Sequence, residues 1–244
     1  MDAATLTVRL DPELWVFVAP RRRRAEFTAG HDGTASLGHV VEALGVPLTE
    51  VGVLRADGAD VPPGHRPRSG AVVEVAAVAR PQRVDGWSGA FVLDVHLGTL
   101  ARRLRLLGVD TSYRNDASDD ELVRHAGAER RLLLTRDRGL LKRRALWAGA
   151  YVRGDDPGEQ LADVLGRFAP PLRPWTRCPA CNSRLEPVPK ADVAHLLEPG
   201  TRRTQQVFRR CGACGRVYWR GAHGPRLAAI VDAARAGGDA PRDP

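Results

Sequence analysis

The chain has 244 residues, of which 43% are hydrophobic and 27% charged, so it is neither disordered nor fibrous and is long enough for two or three modest domains. It lacks the apolar run of about 18 residues that a spanning helix needs, and its N-terminus lacks the basic-then-apolar order of a signal peptide. We therefore expect a cytoplasmic protein with no membrane partner. The net charge of +8 is concentrated in residues 171–244, where 13 basic side chains outnumber 6 acidic ones, which favours a phosphate-rich partner.

Residues 1–79 are predicted to form one small unit. The apolar stretches alternate as strands do around one segment of helical periodicity, which has Ser36 as its N-cap and Gly45 just past its end. The predicted elements, of order ββαββ, are Thr5–Leu10, Glu26–Thr28, the helix Ser36–Leu44, Val51–Leu54 and Ala71–Val78. This order resembles the β-grasp fold of ubiquitin and of the small sulfur carriers. Sulfur carriers end in a free Gly-Gly, whereas this chain continues, so a docking or a purely structural role is the better interpretation.

Residues 88–170 alternate between predicted strands and helices. The strands are short and apolar, and Gly108 stands where a glycine commonly ends a helix. The elements are Phe91–Leu93, helix Leu97–Leu107, Val109–Tyr113, helix Asp119–Ala126, Arg131–Thr135, helix Gly139–Trp147, Ala150–Val152 and helix Gln160–Phe168. This alternation predicts a parallel sheet covered by helices.

Acidic residues follow the strands of this predicted sheet. Asp94, Asp137 and Asp155 come after strands, and Asp119 begins a helix, so all four can reach the edge where parallel strands end. Carboxylates gathered there repel one another unless a cation intervenes, and Mg²⁺ or Mn²⁺ prefers such oxygen ligands. Divalent ions so placed support hydrolysis of phosphodiesters. The alternative is structural, because Asp119 and Asp155 (or Asp156) are also good helix caps and aspartates after strands are common in turns.

Two cysteine pairs are the strongest single motif. Cys178 and Cys181 form one CxxC knuckle, and Cys211 and Cys214 form another. Four thiolates suit tetrahedral Zn²⁺, so we predict a structural zinc ribbon over residues 175–225. A redox pair is the weaker alternative, because two knuckles are present. His223 is interpreted as a packing or substrate-facing residue, since four cysteines already complete a site.

Basic and aromatic residues in the ribbon have two interpretations. They either stack on bases and bind phosphate or build the small core of the ribbon. They are Arg202, Arg203, Arg209, Arg210, Tyr218, Trp219 and Arg220. Arg21 to Arg24 are similarly a solvated turn or a nucleic-acid contact. We expect residues 226–244 to be a helix with a frayed tail.

Three stretches resemble the Mut-seven C-terminal RNase domain family: Phe91–Gly108, Leu132–Asp137, and the two cysteine pairs with the segment that continues to His223. The first unit is similar to the ubiquitin-like domain that precedes this domain in bacterial members. The resemblance implies a PIN-like nuclease of three-layer α/β/α fold whose acidic metal site falls on Asp94, Asp119 and Asp137, with Asp155 as a fourth position. The family commonly has a basic residue where this chain has Thr99, which removes one phosphate contact.

The expected function is a metal-dependent ribonuclease, with structural Zn²⁺ in the ribbon and catalytic Mg²⁺ or Mn²⁺ at the acidic site. Its expected partner is single-stranded or structured RNA, and the β-grasp domain offers a surface for a protein partner. The alternative from another class is a non-catalytic RNA-binding adaptor associated with ribosomes or tRNA, which keeps the charge and the zinc without needing the acidic residues.

Overall fold

The structure is a computed structural model that describes residues 4–219 and residue 229. Arg220, His223 and, apart from residue 229, the predicted C-terminal helix and tail at 226–244 lie outside the described residues. Among the described residues, the helices are too short and too polar to span a lipid bilayer. The chain divides into two compact units, one of Met1–Gln82 with Leu134–Tyr151 and one of Arg83–Leu133 with Val152–Pro244.

The N-terminal part of the first unit is a β-rich, ubiquitin-like sheet with one helix, as predicted. Its elements are β1 (Ala4–Leu10), β2 (Glu26–His31), α1 (Leu37–Leu44), β3 (Val51–Ala56), β4 (Ala59–Asp60) and β5 (Val72–Ala77). The strand order is β2-β1-β5-β3-β4, with β1 parallel to β5 and the other pairs antiparallel. The apolar run after β1 is a 3-10 helix over Pro12–Phe17, because Asp11 caps it and Pro12 opens it.

The ends of α1 agree with the sequence prediction. The Ser36 hydroxyl accepts a hydrogen bond from the His39 amide, and Gly45 adopts a left-handed conformation with φ of +113°. A Cβ at Gly45 would lie 2.4 Å from the carbonyl oxygen of Phe17, so this close approach requires glycine. The core beneath α1 also contains Leu141 and Tyr151, which the sequence analysis assigns to the nuclease domain.

Strands and helices alternate from residue 91 to residue 168, which gives the expected mixed α/β arrangement. The elements are β6 (Phe91–Leu93), α2 (Gly98–Leu106), β7 (Thr111–Tyr113), α3 (Asp119–Ala128), β8 (Leu132–Thr135), α4 (Arg138–Leu141), β9 (Gly149–Tyr151) and α5 (Pro157–Phe168). The four strands form a sheet of order β7-β6-β8-β9, in which β6 and β7 are parallel with Phe91 opposite Thr111. Every residue of β6 and β8 is buried, as in sheets covered on both faces.

The helix predicted over Gly139–Trp147 is wrong in length. Only Arg138–Leu141 is helical. After Leu140 and Leu141 the next positions on the same face would be Arg143 and Arg144, so no buried apolar stripe sustains further turns.

The cysteine-containing part of the chain forms a small antiparallel sheet of order β10-β11-β12. Its elements are β10 (Leu185–Val188), α6 (Lys190–Val193), α7 (Pro199–Thr204), β11 (Phe208–Cys211) and β12 (Val217–Trp219). One small core contains Cys178, Leu185 and Cys211, and a second contains Val193, Leu197 and Phe208.

Candidate functional site

Asp94 is the most distinctive of the predicted acidic residues. It follows the last residue of β6 directly and is only 7% exposed. Its backbone carbonyl accepts a hydrogen bond from the Leu97 amide, which closes a short turn over Val95–Leu97 before α2 begins. An aspartate held directly after a buried strand lies at the edge where parallel strands end, which makes its position a candidate functional site.

The turn after Asp94 is held by Tyr113, which the sequence analysis did not single out. The Tyr113 hydroxyl donates a hydrogen bond of 2.8 Å to the carbonyl oxygen of Val95. A Cβ at Gly98 would lie 2.7 Å from that hydroxyl, so the phenol reaches the turn because residue 98 is glycine. Gly98, within the stretch Phe91–Gly108, thus has a packing reason that the sequence alone does not reveal.

Asp119 is the first residue of α3, but it is not the helix cap. Ser118 takes that role in a capping box, because its hydroxyl accepts from the Glu121 amide and the Glu121 carboxylate accepts from the Ser118 amide at 2.8 Å. The Asp119 side chain is half-buried. The capping interpretation of Asp119 is therefore wrong, and its predicted metal role stays a prediction.

Of the two candidates for the cap of α5, Asp155 and Asp156, the structure selects Asp156. Asp156 caps α5, since its Oδ1 accepts from the Gly158 amide at 2.6 Å and from the Glu159 amide at 3.3 Å. Asp155 is exposed, and its own amide donates to Glu159 Oε2. Asp155 therefore keeps its position as a predicted fourth acidic residue without being the cap.

Asp137 is exposed and caps the short helix α4. Its Oδ1 accepts from the Gly139 amide at 2.6 Å and from the Leu140 amide at 3.3 Å, and its own amide donates to the Thr135 hydroxyl at 2.8 Å. The residue is thus fixed by local hydrogen bonds immediately after β8. Asp137 therefore has a structural role as a helix cap, in addition to its predicted role as a metal ligand.

Within residues 4–219, the side chains that converge closely enough to hold a metal ion are the four cysteines, and Asp94, Asp119 and Asp155 are not part of such a group. Those three aspartates lie in one compact unit and Asp137 in the other. Their assignment to a catalytic metal stays a prediction.

The four cysteines do converge, as the spacing predicts. Their sulfur atoms all lie within 4.8 Å of one another, with Cys178 and Cys214 separated by 3.7 Å and Cys181 and Cys211 by 3.4 Å. Tetrahedral zinc with Zn–S bonds of about 2.3 Å places sulfurs about 3.8 Å apart. The cluster can therefore hold a structural metal such as zinc.

The thiols of Cys181 and Cys211 have strongly perturbed pKa values. Partial burial raises the pKa of Cys181, but hydrogen bonds from Ser183 and neighbouring sulfurs outweigh it and lower the value to about 6. Burial raises the pKa of Cys211 to about 12. A divalent cation among four sulfurs would deprotonate such thiols, because its charge stabilises the thiolate form.

Asp110, which directly precedes β7, connects the cysteine knuckle to the α/β elements. Its Oδ1 accepts from Arg131 Nη1 at 2.7 Å and from Asn182 Nδ2 at 2.8 Å, and its Oδ2 accepts from Arg177 Nη2 at 2.7 Å. Asn182 Oδ1 in turn accepts from the Thr111 amide at 3.0 Å. The first cysteine knuckle is thereby fixed to β7.

Arg105 makes a second connection to the same knuckle. Sequence periodicity places it off the apolar face of its helix, yet it is only 3% exposed. Its guanidinium donates to the carbonyl oxygens of Thr111, Pro179 and Ala180. Arg105 is therefore a buried structural residue rather than a phosphate-binding one.

The aromatic residues of the ribbon belong to its small cores. The Tyr218 hydroxyl lies 3.1 Å from Cys178 Sγ, and the Trp219 ring packs against Phe208 with centroids 6.2 Å apart. The core interpretation of both aromatics thus agrees with the structure. By contrast, Arg202 and Arg203 are exposed on α7 and keep their guanidinium groups accessible.

A cavity of about 390 Å³ lies beside α3. Its lining includes Ser112, Arg114, Arg124 and His125. The His125 Nε2 atom lies 3.1 Å from Glu129 Oε1, and Arg114 pairs with Glu121. The cavity is a cleft with a mixed polar and apolar lining on the helix that Asp119 begins.

Comparisons with known proteins agree with this organisation. The family model described as "Mut7-C RNAse domain" matches residues 89–231, and the one described as "Mut7-C ubiquitin" matches residues 3–83. A search of curated proteins and a search of solved structures each found no match. The RNase family model covers more than half of the chain and includes Asp94 and all four cysteines. The chain therefore belongs to the Mut7-C RNase domain family, with a ubiquitin-like domain ahead of the RNase domain.

Proposed function

We propose that this protein is a metal-dependent ribonuclease. The observation that carries the proposal is the coincidence of the RNase family match with a buried carboxylate, Asp94, directly after the buried strand β6. Family membership indicates a nuclease-type role, and we infer that the reaction is hydrolysis of RNA phosphodiesters with a divalent metal.

The acidic residues Asp94, Asp119, Asp137 and Asp155 would hold the catalytic ion. Mg²⁺ or Mn²⁺, when bound, supplies charge neutralisation at a phosphate and lowers the pKa of water. Asp94 contributes most to this proposal, because its burial and the Tyr113–Val95 hydrogen bond fix the position of its backbone. Asp119, Asp137 and Asp155 are expected to contribute further carboxylate ligands to the ion.

The ribbon would hold a structural zinc ion and contribute to the affinity for RNA. We assign a structural Zn²⁺ to Cys178, Cys181, Cys211 and Cys214, whose sulfur separations match tetrahedral coordination. The accessible arginines of α7, Arg202 and Arg203, would contact phosphates, and each such contact makes the affinity for RNA depend on salt.

The competing function is a non-catalytic RNA-binding adaptor. The basic surface and the cysteine cluster would serve that function equally well, whereas the proposed acidic metal site is needed for cleavage alone. Binding and cleavage therefore have to be measured separately.

The test is cleavage of end-labelled single-stranded RNA and DNA in Mn²⁺, Mg²⁺ or EDTA by the wild-type protein and the Asp94→Asn variant. The control is Asp116→Asn, because Asp116 is an exposed loop carboxylate paired only at the surface with Arg114. We expect metal-dependent RNA products from the wild type and the control, and loss of cleavage with retained RNA affinity in Asp94→Asn. Equal RNA binding without cleavage in all three proteins would favour the adaptor.

A further inference from the structure

The segment Leu134–Tyr151 lies within the RNase family match, yet it packs with the ubiquitin-like domain in one compact unit. The segment carries Asp137, the predicted metal ligand that follows β8. The ubiquitin-like domain therefore has a contact partner within its own chain, and that partner bears a residue of the proposed active site.

Two cations of the segment reach backbone carbonyls of the ubiquitin-like domain. Arg138 Nη1 donates to the Phe17 carbonyl at 3.0 Å, and Arg138 Nη2 donates to the Val16 carbonyl at 2.7 Å. Lys142 Nζ donates to the Glu42 carbonyl at 2.7 Å. These carbonyls lie in the last turns of the 3-10 helix Pro12–Phe17 and of α1, where the helix dipole favours positive charge.

Apolar contacts also hold this segment. Leu141 and Tyr151 are buried in the core of the ubiquitin-like domain, where the Tyr151 ring meets the Phe17 ring edge-on at 5.0 Å. The Tyr151 amide donates at 2.8 Å to Oε1 of Glu50, which is fully buried. The Arg138 guanidinium also lies 5.3 Å from the centre of the Phe17 ring.

We propose that the ubiquitin-like domain acts within its own chain as the positioning element for Asp137. Arg138 is the next residue after Asp137, so two hydrogen bonds to the domain fix the chain immediately beyond the carboxylate. This inference rests on the proposed nuclease function, because it assigns Arg138 as a positioning residue for that reaction. It also means that the carbonyl oxygens of Val16, Phe17 and Glu42 are engaged by the chain itself.

The test compares Arg138→Ala with Arg144→Ala in the full chain. Arg144 is an exposed arginine of the same segment, so the two variants lose the same charge and differ in the hydrogen bonds to Phe17 and Val16. Two quantities are measured: amide hydrogen exchange of peptides covering residues 134–148, and kcat and KM for RNA cleavage. Exchange in β1 and β5 reports separately on the stability of the ubiquitin-like domain.

For Arg138→Ala we expect exchange of residues 134–148 to rise about tenfold, the factor that the loss of a charge-assisted hydrogen bond carries, while β1 and β5 are unchanged. We expect kcat to fall about tenfold with little change in KM, because a displaced ligand impairs the reaction rather than RNA binding. Arg144→Ala should match the wild type in both quantities. Arg138→Lys, which keeps the charge but has a single donor nitrogen, should give an intermediate kcat and serves if the alanine variant fails to fold.

Exchange or kcat in Arg138→Ala equal to that in Arg144→Ala would overturn the inference. A rise in exchange spread evenly over β1, β5 and the segment would also overturn it, since the residue would then stabilise the domain without positioning Asp137. Absence of cleavage by the wild-type protein with either metal would instead refute the proposed function. The exchange comparison would still decide whether the ubiquitin-like domain holds the segment.

Discussion

The Asp110→Ala substitution should release the first cysteine knuckle from the α/β elements. The Asp110 carboxylate accepts three hydrogen bonds, two from arginines and one from Asn182, at 2.7 to 2.8 Å. Its side chain is 27% exposed, and those of Arg131 and Arg177 are 13% and 23% exposed. Alanine removes every acceptor and leaves two guanidinium groups partly buried without their shared carboxylate.

The expected loss is about 3 kcal/mol of local stability. A hydrogen bond to a charged group contributes roughly 1.5–3 kcal/mol, but three bonds that share one carboxylate are not additive. Partial exposure and screening reduce the total further. A value of about 3 kcal/mol agrees with the effect of breaking a largely buried ion pair and corresponds to roughly a hundredfold change in the opening equilibrium.

The pH dependence follows from the same contacts. Partial burial raises the pKa of Asp110, but hydrogen bonds from Arg131 and Asn182 and the charges of both arginines outweigh it, so the folded pKa lies below the ordinary value. The stabilisation is therefore fully present above the unfolded pKa of about 4 and is lost as the pH falls through the lowered folded pKa. The difference between wild type and Asp110→Ala should be constant near neutral pH and shrink below about pH 4.

The assay is amide hydrogen exchange at Thr111, whose amide donates to Asn182, and at Cys178, whose amide donates to Ser183. The control is Asp116→Ala, since Asp116 pairs with Arg114 at the surface with its side chain 69% exposed. We expect about a hundredfold faster exchange at Thr111 in Asp110→Ala and less than about a twofold change in the control. Equal effects of the two substitutions would refute the reasoning.

Three further predictions concern packing, capping and metal retention. Gly108→Ala should destabilise the fold by about 3 kcal/mol or more in urea unfolding, because φ is +80° and the new Cβ would lie 1.8 Å from the Arg173 carbonyl oxygen; a loss below about 1 kcal/mol would contradict the close approach. Ser118→Ala should reduce the stability of α3 by about 1 kcal/mol through loss of the capping box, measured by exchange of the helix amides, and no change there would argue against the cap. Cys211→Ser should lower the zinc content of the purified protein, measured by elemental analysis, and a full zinc complement would exclude Cys211 as a ligand.

Local chemistry made several features predictable from the sequence. Ser36 and Gly45 define the ends of α1 because capping depends on residues adjacent in the chain. The paired cysteines predict their own convergence because CxxC spacing brings two sulfurs together on one turn. Asp94 could be singled out because it follows an apolar strand directly, although its burial depends on the folded sheet.

The features that could not be predicted depend on residues far apart in the chain. Asp110 binds partners 21, 67 and 72 positions away, so no local pattern distinguishes it from an ordinary loop aspartate. Arg105 breaks the rule that an arginine off the apolar face is exposed, because carbonyls of the cysteine knuckle surround its guanidinium. Leu141 and Tyr151 lie in a core built mainly by residues 6–75, which domain boundaries drawn along the sequence would separate from them.

The most direct test of the central claim is the rate of single-stranded RNA cleavage in Mn²⁺ by the wild-type protein and by Asp94→Asn, with retained folding checked by circular dichroism. The buried position of Asp94 after β6 predicts metal-dependent cleavage that falls by a factor of about 100 or more in the variant, while RNA affinity stays the same. Cleavage at the wild-type rate by a folded Asp94→Asn protein would contradict the assignment of this carboxylate to the active site.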